Sequence, residues 1–240
     1  MINTVIVGAG GRMGQTMIRL LPDKDAWIDK PNRRVVMDGT VCLREGQLEM
    51  FACTVGTKEH ESIVSVDVEA YAIHAALQAV GAQPGRPVQF QPEYQAATGP
   101  IVDITCIWTD ADGQVHRARA QNWVRDGKSK QPMKEDWVFG GSGFWEDEET
   151  RERHYLAEGG YLICLSNFGA AMLDVPVEST DKAQAGLLFE ALTENIPPLR
   201  TRVRLVLTPR LAPAKPAAPP AAGGKKSAAQ AGNLGKDSAD

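Results

Sequence analysis

Two short stretches carry residue types at spacings that could do chemistry. Residues 7–14 read VGAGGRMG, behind a short apolar run and ahead of a helix-like stretch. Glycines so spaced let backbone amides approach a pyrophosphate, with the positive end of the following helix turned toward it. Residues 58–62 read KEHES, so Glu59, His60 and Glu61 are contiguous, and His74 follows in a helical pattern. A loop histidine, a helical histidine and nearby carboxylates make a mixed nitrogen and oxygen set suited to zinc or iron. Alternatively, His60 oriented by Glu59 or Glu61 would serve as an acid/base group. A structural role competes with both: His74 falls on the apolar stripe of its helix, and His60 with its acids can organise a turn. No HxH or HExxH pattern reinforces the metal reading.

Other constellations are weaker. WVFGGSGFWEDEETRERHY, residues 137–155, gathers Trp137, Phe139, Phe144, Trp145 and Tyr155 around glycines. Aromatics on a glycine-rich loop can line a binding cleft, or can cover one face of a sheet. Glu146–Glu149 lack the alternating ligand spacing of a calcium loop and read as a solvated charge run. Ser142 approaches a G-x-S-x-G elbow, but Phe144 stands where the last glycine belongs. Cys42, Cys53, Cys106 and Cys164 form no CxxC pair and read as apolar core. Cys42 and Cys53 flank an expected hairpin, so a disulfide between them is an alternative that would require an oxidising compartment.

Bulk properties narrow the classes. The formal net charge of -4 argues against a general nucleic-acid binder, which needs excess Lys and Arg on one face. No apolar run reaches the roughly 20 residues of a membrane-spanning helix. The N-terminus lacks a basic n-region and glycines interrupt its apolar stretch, which points to the cytoplasm.

The elements that would position these residues follow from periodicity. NTVIV, residues 3–7, reads as a buried strand and RMGQTMIRLL, residues 12–21, as a helix, giving a short βα unit over 1–22. RRVVMDGTVCLREGQLEMFACTVG reads as β segments turning at Asp38-Gly39 and Glu45-Gly46. VDVEAYAIHAALQAVGA is the main helix, about 67–81, ended by Gly81. VDITCIWTDADGQVHRARAQNWV is a hairpin turning at Asp112-Gly113, and GGYLICLSNF and RVRLVLTP are later strands. From about Ala212 to 240 the chain is rich in Ala, Pro, Lys and Gly and has no aromatic residue, so a disordered tail is expected. The expected fold class is α+β: a largely antiparallel sheet of hairpins with one main helix.

Two resemblances refine this. Residues 2–21 resemble the start of the dihydrodipicolinate reductases, whose loop commonly reads G-A-x-G-R-M-G and here reads GAGGRMG. The resemblance implies NAD(P)H contacts from Gly8, Gly11, Arg12, Met13 and Gly14. Beyond Leu21 the reductase pattern stops: His60, His74, His116 and His154 are not adjacent, so the paired-histidine motif is missing, as is the KDAPSGT-like turn. Asp38 stands at a suitable distance to hold a ribose, but no further βαβ unit follows. Residues 27–209 resemble the YdjY-like domain family, in its planctomycete-type versions. RRVVMDGTVCLREGQLEMFAC, GTKEHESIVSVDVEAYAIHAALQAVGA, WVFGGSGFWEDEET, GGYLICLSNF and MLDVPVEST carry that likeness. It implies a domain without an established catalytic activity, a binding or structural role toward a small ligand or protein, and export behind a signal peptide.

Overall fold

The computed structural model describes residues 17–179 and 188–211. Its first strands are β1 (Met17–Arg19), β2 (Ala26–Asp29), β3 (Arg34–Val41), β4 (Met50–Thr54) and β5 (Ser62–Val66). Helix α1 (Ala70–Ala79) comes next, the one α-helix among the described residues. It is followed by β6 (Ile101–Thr109), β7 (Val115–Arg119), β8 (Val124–Asp126), β9 (Trp137–Phe139), β10 (Phe144–Glu146) and β11 (Arg153–Tyr155). The last four are β12 (Ile163–Cys164), β13 (Leu173–Asp174), β14 (Phe189–Ala191) and β15 (Arg202–Pro209).

Eight of these strands form a closed ring in the order β3-β15-β6-β9-β13-β12-β4-β5, and β5 pairs back onto β3 through Gly39↔Val66 and Val41↔Val64. This overturns the expected α+β class. The protein is mostly β and its main sheet is a barrel, because one long-range pairing joins what would be two sheet edges. Most pairings in the ring are antiparallel, while β4–β5 and β12–β13 are parallel. β1 and β2 extend outward from β3, and β7 extends from β6. β10–β11 and β8–β14 are separate two-stranded ribbons.

Side-chain alternation accounts for the long walls. Val102, Ile104 and Cys106 of β6 are buried while their neighbours are half-buried, and Val203, Leu205 and Leu207 of β15 face the same core. Phe51, Trp123, Trp137 and Phe139 meet inside, with Phe51 between the rings of Trp123 and Trp137 at 6.2 and 5.5 Å. Helix α1 buries Ala70, Ile73, Ala76 and Leu77 in this core, as its periodicity predicts.

Three local expectations are corrected. Asp38-Gly39 is no turn but the middle of β3, where a Cβ on Gly39 would stand 2.7 Å from Ser65 O of β5. Here glycine marks close backbone approach. The expected β3–β4 hairpin is absent, because β5 inserts between the two strands. Met17–Arg19, read as helix, is a strand paired with β2, and Arg19 lies 5.2 Å over the Trp27 ring. The hairpin at Asp112-Gly113 is as expected, with Thr109 opposite Val115 and Gly113 at φ +80°. Gly8, Gly11, Arg12, Met13 and Gly14 lie outside the described residues, as do residues 212–240.

Candidate functional site

The segment from Tyr155 to Tyr161 ties the functional candidates together. It leaves β11, makes a 3-10 turn over Leu156–Gly159 and packs against α1. Glu69, at the helix N-cap, makes no side-chain capping bond. Instead the Glu158 carboxylate accepts from Ala70 N at 3.0 Å and Tyr71 N at 2.8 Å, satisfying two free helix amides and the positive end of the dipole.

His74, one turn into α1, is half-buried beside this segment. Its Nδ1 lies 2.8 Å from the Tyr155 hydroxyl, which donates to Gly141 O at 3.1 Å. With the tyrosine proton spent on that carbonyl, the network assigns Nδ1 as the donor to Tyr155. Burial holds the His74 pKa below the usual histidine value, partly offset by the Gly141 carbonyl. Burial also pushes Tyr155 well above the usual phenol range. The Phe139 and Tyr155 rings meet His74 edge-on at 5.0 and 5.5 Å. His74 is thus a hydrogen-bonded aromatic-core residue at the rim of the barrel.

Above it, the β10–β11 ribbon exposes aromatic surface. Phe144 and Trp145 are 46% and 48% exposed, and Tyr71 of α1 is 54% exposed. Tyr71 contacts the Phe144 and Tyr155 rings at 6.3 and 5.8 Å. Arg153 covers one face of Phe144 at 4.8 Å, and His154 stacks on Trp145 at 4.6 Å. The acids at the tip build the turn: Asp147 accepts from Glu149 N and Thr150 N, and Glu146 pairs with Arg151 at 2.7 Å. Ser142 takes a positive φ of 58° and its Oγ donates to Ala170 O at 2.6 Å.

The KEHES turn, also reached by this segment, is a 3-10 turn over Glu59–Glu61. Its charges are partnered locally. Glu59 accepts from Gly56 N, Glu61 pairs with Lys58, and Lys58 Nζ lies 3.8 Å from Glu49 and 5.1 Å over the Tyr161 ring. Burial and the neighbouring Glu61 raise the Glu49 pKa. His60 is 76% exposed, its Nε2 3.8 Å from Glu61. Among the described residues no group of three or more His, Cys, Asp or Glu is arranged to hold a metal ion. The expected set of Glu59, His60, Glu61 and His74 is therefore divided. The Lys58 ammonium occupies the neighbourhood of Glu61 and Glu49, and His74 is bonded to Tyr155.

A groove of about 760 Å³ opens elsewhere, on the outer wall between Asp38, Trp108, Asp110, Pro198, Arg202 and Arg204. Most of its charges are already paired: Arg204 with Asp38 at 2.7 Å, Arg202 with Asp25 at 2.9 Å, Asp110 with His116 at 2.6 Å.

Tyr71, Glu158 and Glu49 were not anticipated from the sequence. Tyr71 stands three residues before His74, a helical spacing that puts both on one face, so it was within reach. Glu158 and Glu49 act across long sequence separations and leave no local signal. A family model of the YdjY domain matches residues 26–208. No curated protein and no solved structure matches the chain.

Proposed function

The chain belongs to the YdjY domain family, and from that premise we propose that it works by binding a protein partner through the aromatic face of Tyr71 and Phe144. The observation that carries this reading is exposure. Two of the six large hydrophobic side chains exposed among the described residues, Tyr71 and Phe144, meet here ring to ring, while Trp123, Trp137, Phe51 and Phe139 are fully buried. Half-exposed aromatics backed by a rigid core are the common anchors of protein interfaces.

The chemistry of the rim indicates what the partner presents. Glu148, Glu149 and Glu152 stand exposed on the loop joining β10 to β11, the ribbon that carries Phe144. Such a surface favours a segment carrying an apolar or aromatic side chain next to Lys or Arg, which gains both burial and charge attraction. The polar groups beneath the face, His74, Tyr155 and Ser142, are spent on internal hydrogen bonds and hold the face in shape.

An immobilised peptide panel of varied charge and aromatic content tests the reading. The wild-type chain should retain basic, aromatic-containing peptides. The double variant Tyr71→Ala/Phe144→Ala should lose that retention by about tenfold or more, with an unchanged circular dichroism spectrum, since both side chains are about half in solvent. Equal retention by the variant, or wild-type retention that ignores peptide charge and aromatic content, would refute the assignment.

A further inference from the structure

Among the described residues, β7 is the longest strand with one side unpaired: it meets β6 along its whole length and no other strand. The hairpin fixes which of its backbone groups are left over. At the closing pair Asp110 N donates to Gln114 O at 3.0 Å. Hydrogen-bonded pairs recur at every second residue of an antiparallel ladder, so Trp108–His116 and Cys106–Ala118 are the next two. The N–H and C=O groups of Val115, Arg117 and Arg119 therefore point away from β6, toward the open side. These three are also the exposed residues of the strand, Val115 at 66%.

We propose that this edge takes an added strand, an extended acidic segment of a partner protein running antiparallel to β7. The backbone supplies the affinity, since the outward amides and carbonyls repeat at the spacing of a ladder. Charge supplies the selection. The strands of the main sheet carry six arginines: Arg19, Arg34, Arg117, Arg119, Arg202 and Arg204. Five of them have an Asp partner within 3.5 Å, and Arg117 is in no ion pair among the described residues. Opposite Arg117 on β6 stands Ile107, with Thr105 and Thr109 opposite Arg119 and Val115, so this side of the ladder offers it no acid. A carboxylate on the added strand, directly across from Arg117, completes the pair.

The neighbours of Arg117 extend the pattern. Arg119 shares Asp136 with Arg210, so a second acid across from Arg119 adds a partner to an arginine that holds only part of one. Across from Val115 an apolar residue gains burial. Along an antiparallel strand the partner thus reads acid-x-acid-x-apolar. A second copy of this chain is the poorer occupant. Two β7 strands paired about a two-fold axis bring arginine to arginine, directly or on the diagonal, and like charges so placed are destabilising. The arginines thus guard the edge against self-pairing while leaving it open to an acidic strand. The surface is separate from the Tyr71 and Phe144 face, which favours a basic partner.

The test titrates the full chain into a fluorescein-labelled peptide of about ten residues, alternating Glu with Thr and ending in Val, read by fluorescence anisotropy. The anisotropy should rise to saturation. Lys in place of Glu should weaken binding by about tenfold or more. Methyl groups on the Glu amides, which face β7 in this register, should do the same, whereas methyl groups on the Thr amides should leave binding intact. Arg117→Glu should also bind about tenfold more weakly or worse, with the circular dichroism and melting profile of the wild type, because this side chain is exposed. Absence of saturation with the wild-type chain, equal binding by Arg117→Glu, or indifference to methylation of the Glu amides would each overturn the proposal. So would a wild-type dimer on size exclusion that Arg117→Glu converts to monomer, which would make the edge a contact between copies. Tyr71→Ala/Phe144→Ala should bind the acidic peptide as the wild type does, so failure of this edge and failure of the aromatic face are told apart.

Discussion

At the scale of single residues, Asp174 carries the sharpest consequence. It is fully buried on β13, and no ion pair among the described residues includes it. Its carboxyl accepts from Val175 N at 2.8 Å and from Asn167 Nδ2 at 3.3 Å, and Asn167 is held in turn by Ser179 N at 2.8 Å. Burial outweighs these bonds and raises the Asp174 pKa to about 7. In the unfolded chain the same group titrates near 4. The folded pKa is the higher one, so the stabilisation from a protonated Asp174 is fully present below about pH 4 and is lost as pH rises through 7. Across that window the loss is a few kcal/mol, following roughly 1.4 kcal/mol per tenfold in proton affinity. Asp174→Asn keeps an acceptor for Val175 N and removes the ionisation. Urea melts at pH 4 to 8 should show the stability difference, variant minus wild type, growing with pH and levelling off above 7. A difference independent of pH would show that Asp174 stays ionised in the fold.

At the scale of elements, Gly39 separates what the sequence discloses from what it hides. Beside Asp38 it has the signature of a turn, yet it sits in mid-strand where β3 meets β5. A Cβ there would come within 2.7 Å of both Ser65 O and a Val64 methyl, and a carbonyl on the barrel wall cannot step aside cheaply. Gly39→Ala should therefore cost about 1–3 kcal/mol, the range for overpacking a tight interior. Gly46→Ala, with a φ of +97° but nothing within 4 Å, should cost about 1 kcal/mol from backbone strain alone. Thermal melts that rank the two the other way round would contradict the close approach of β3 and β5. Helix α1 and the β6–β7 hairpin were legible because their signals are local: a 3.6-residue period over Ala70–Ala79, and Asp112-Gly113 between alternating strands. Closure was not legible, since it rests on Gly39↔Val66, a pairing across a span that contains the whole of β4. At the candidate site, the chemistry of His74 was legible as the core alternative, but Tyr155 comes to it from 81 positions away. His60 shows the converse: its neighbours were all visible in sequence, and Lys58, which there is only one letter of the motif, is what takes their charge.

At the scale of the whole molecule, β15 is the strand on which the barrel depends. It lies between β3 and β6, pairing with six residues of one and seven of the other, although it is the last strand of the described chain. Charges reinforce both seams: Arg204 grips Asp38 with two bonds, and Arg210 grips Asp103 in the same way while reaching Asp136 at 2.8 Å. These pairs are half-exposed and contribute little each. More of the stabilisation comes from Val203, Leu205 and Leu207, buried in the core the ring encloses. Without β15, two long strands would be left with open edges and the core with an open side, a state prone to edge-to-edge association. A chain ending at Thr201 should therefore lack a cooperative melting transition and elute as aggregate on size exclusion. A chain ending at Leu211 keeps every ring pairing and should melt within a few degrees of the full-length protein. Because closure joins segments more than 160 positions apart in sequence, as in Arg204 and Asp38, refolding should be slow for a domain of this size and should end with β15. Stopped-flow refolding with Trp108 replaced by Phe reads this directly. Trp108 faces Val203 of β15 across the β6 seam, so the slowest phase should lose amplitude in the variant, and a slowest phase indifferent to Trp108 would place closure earlier in folding.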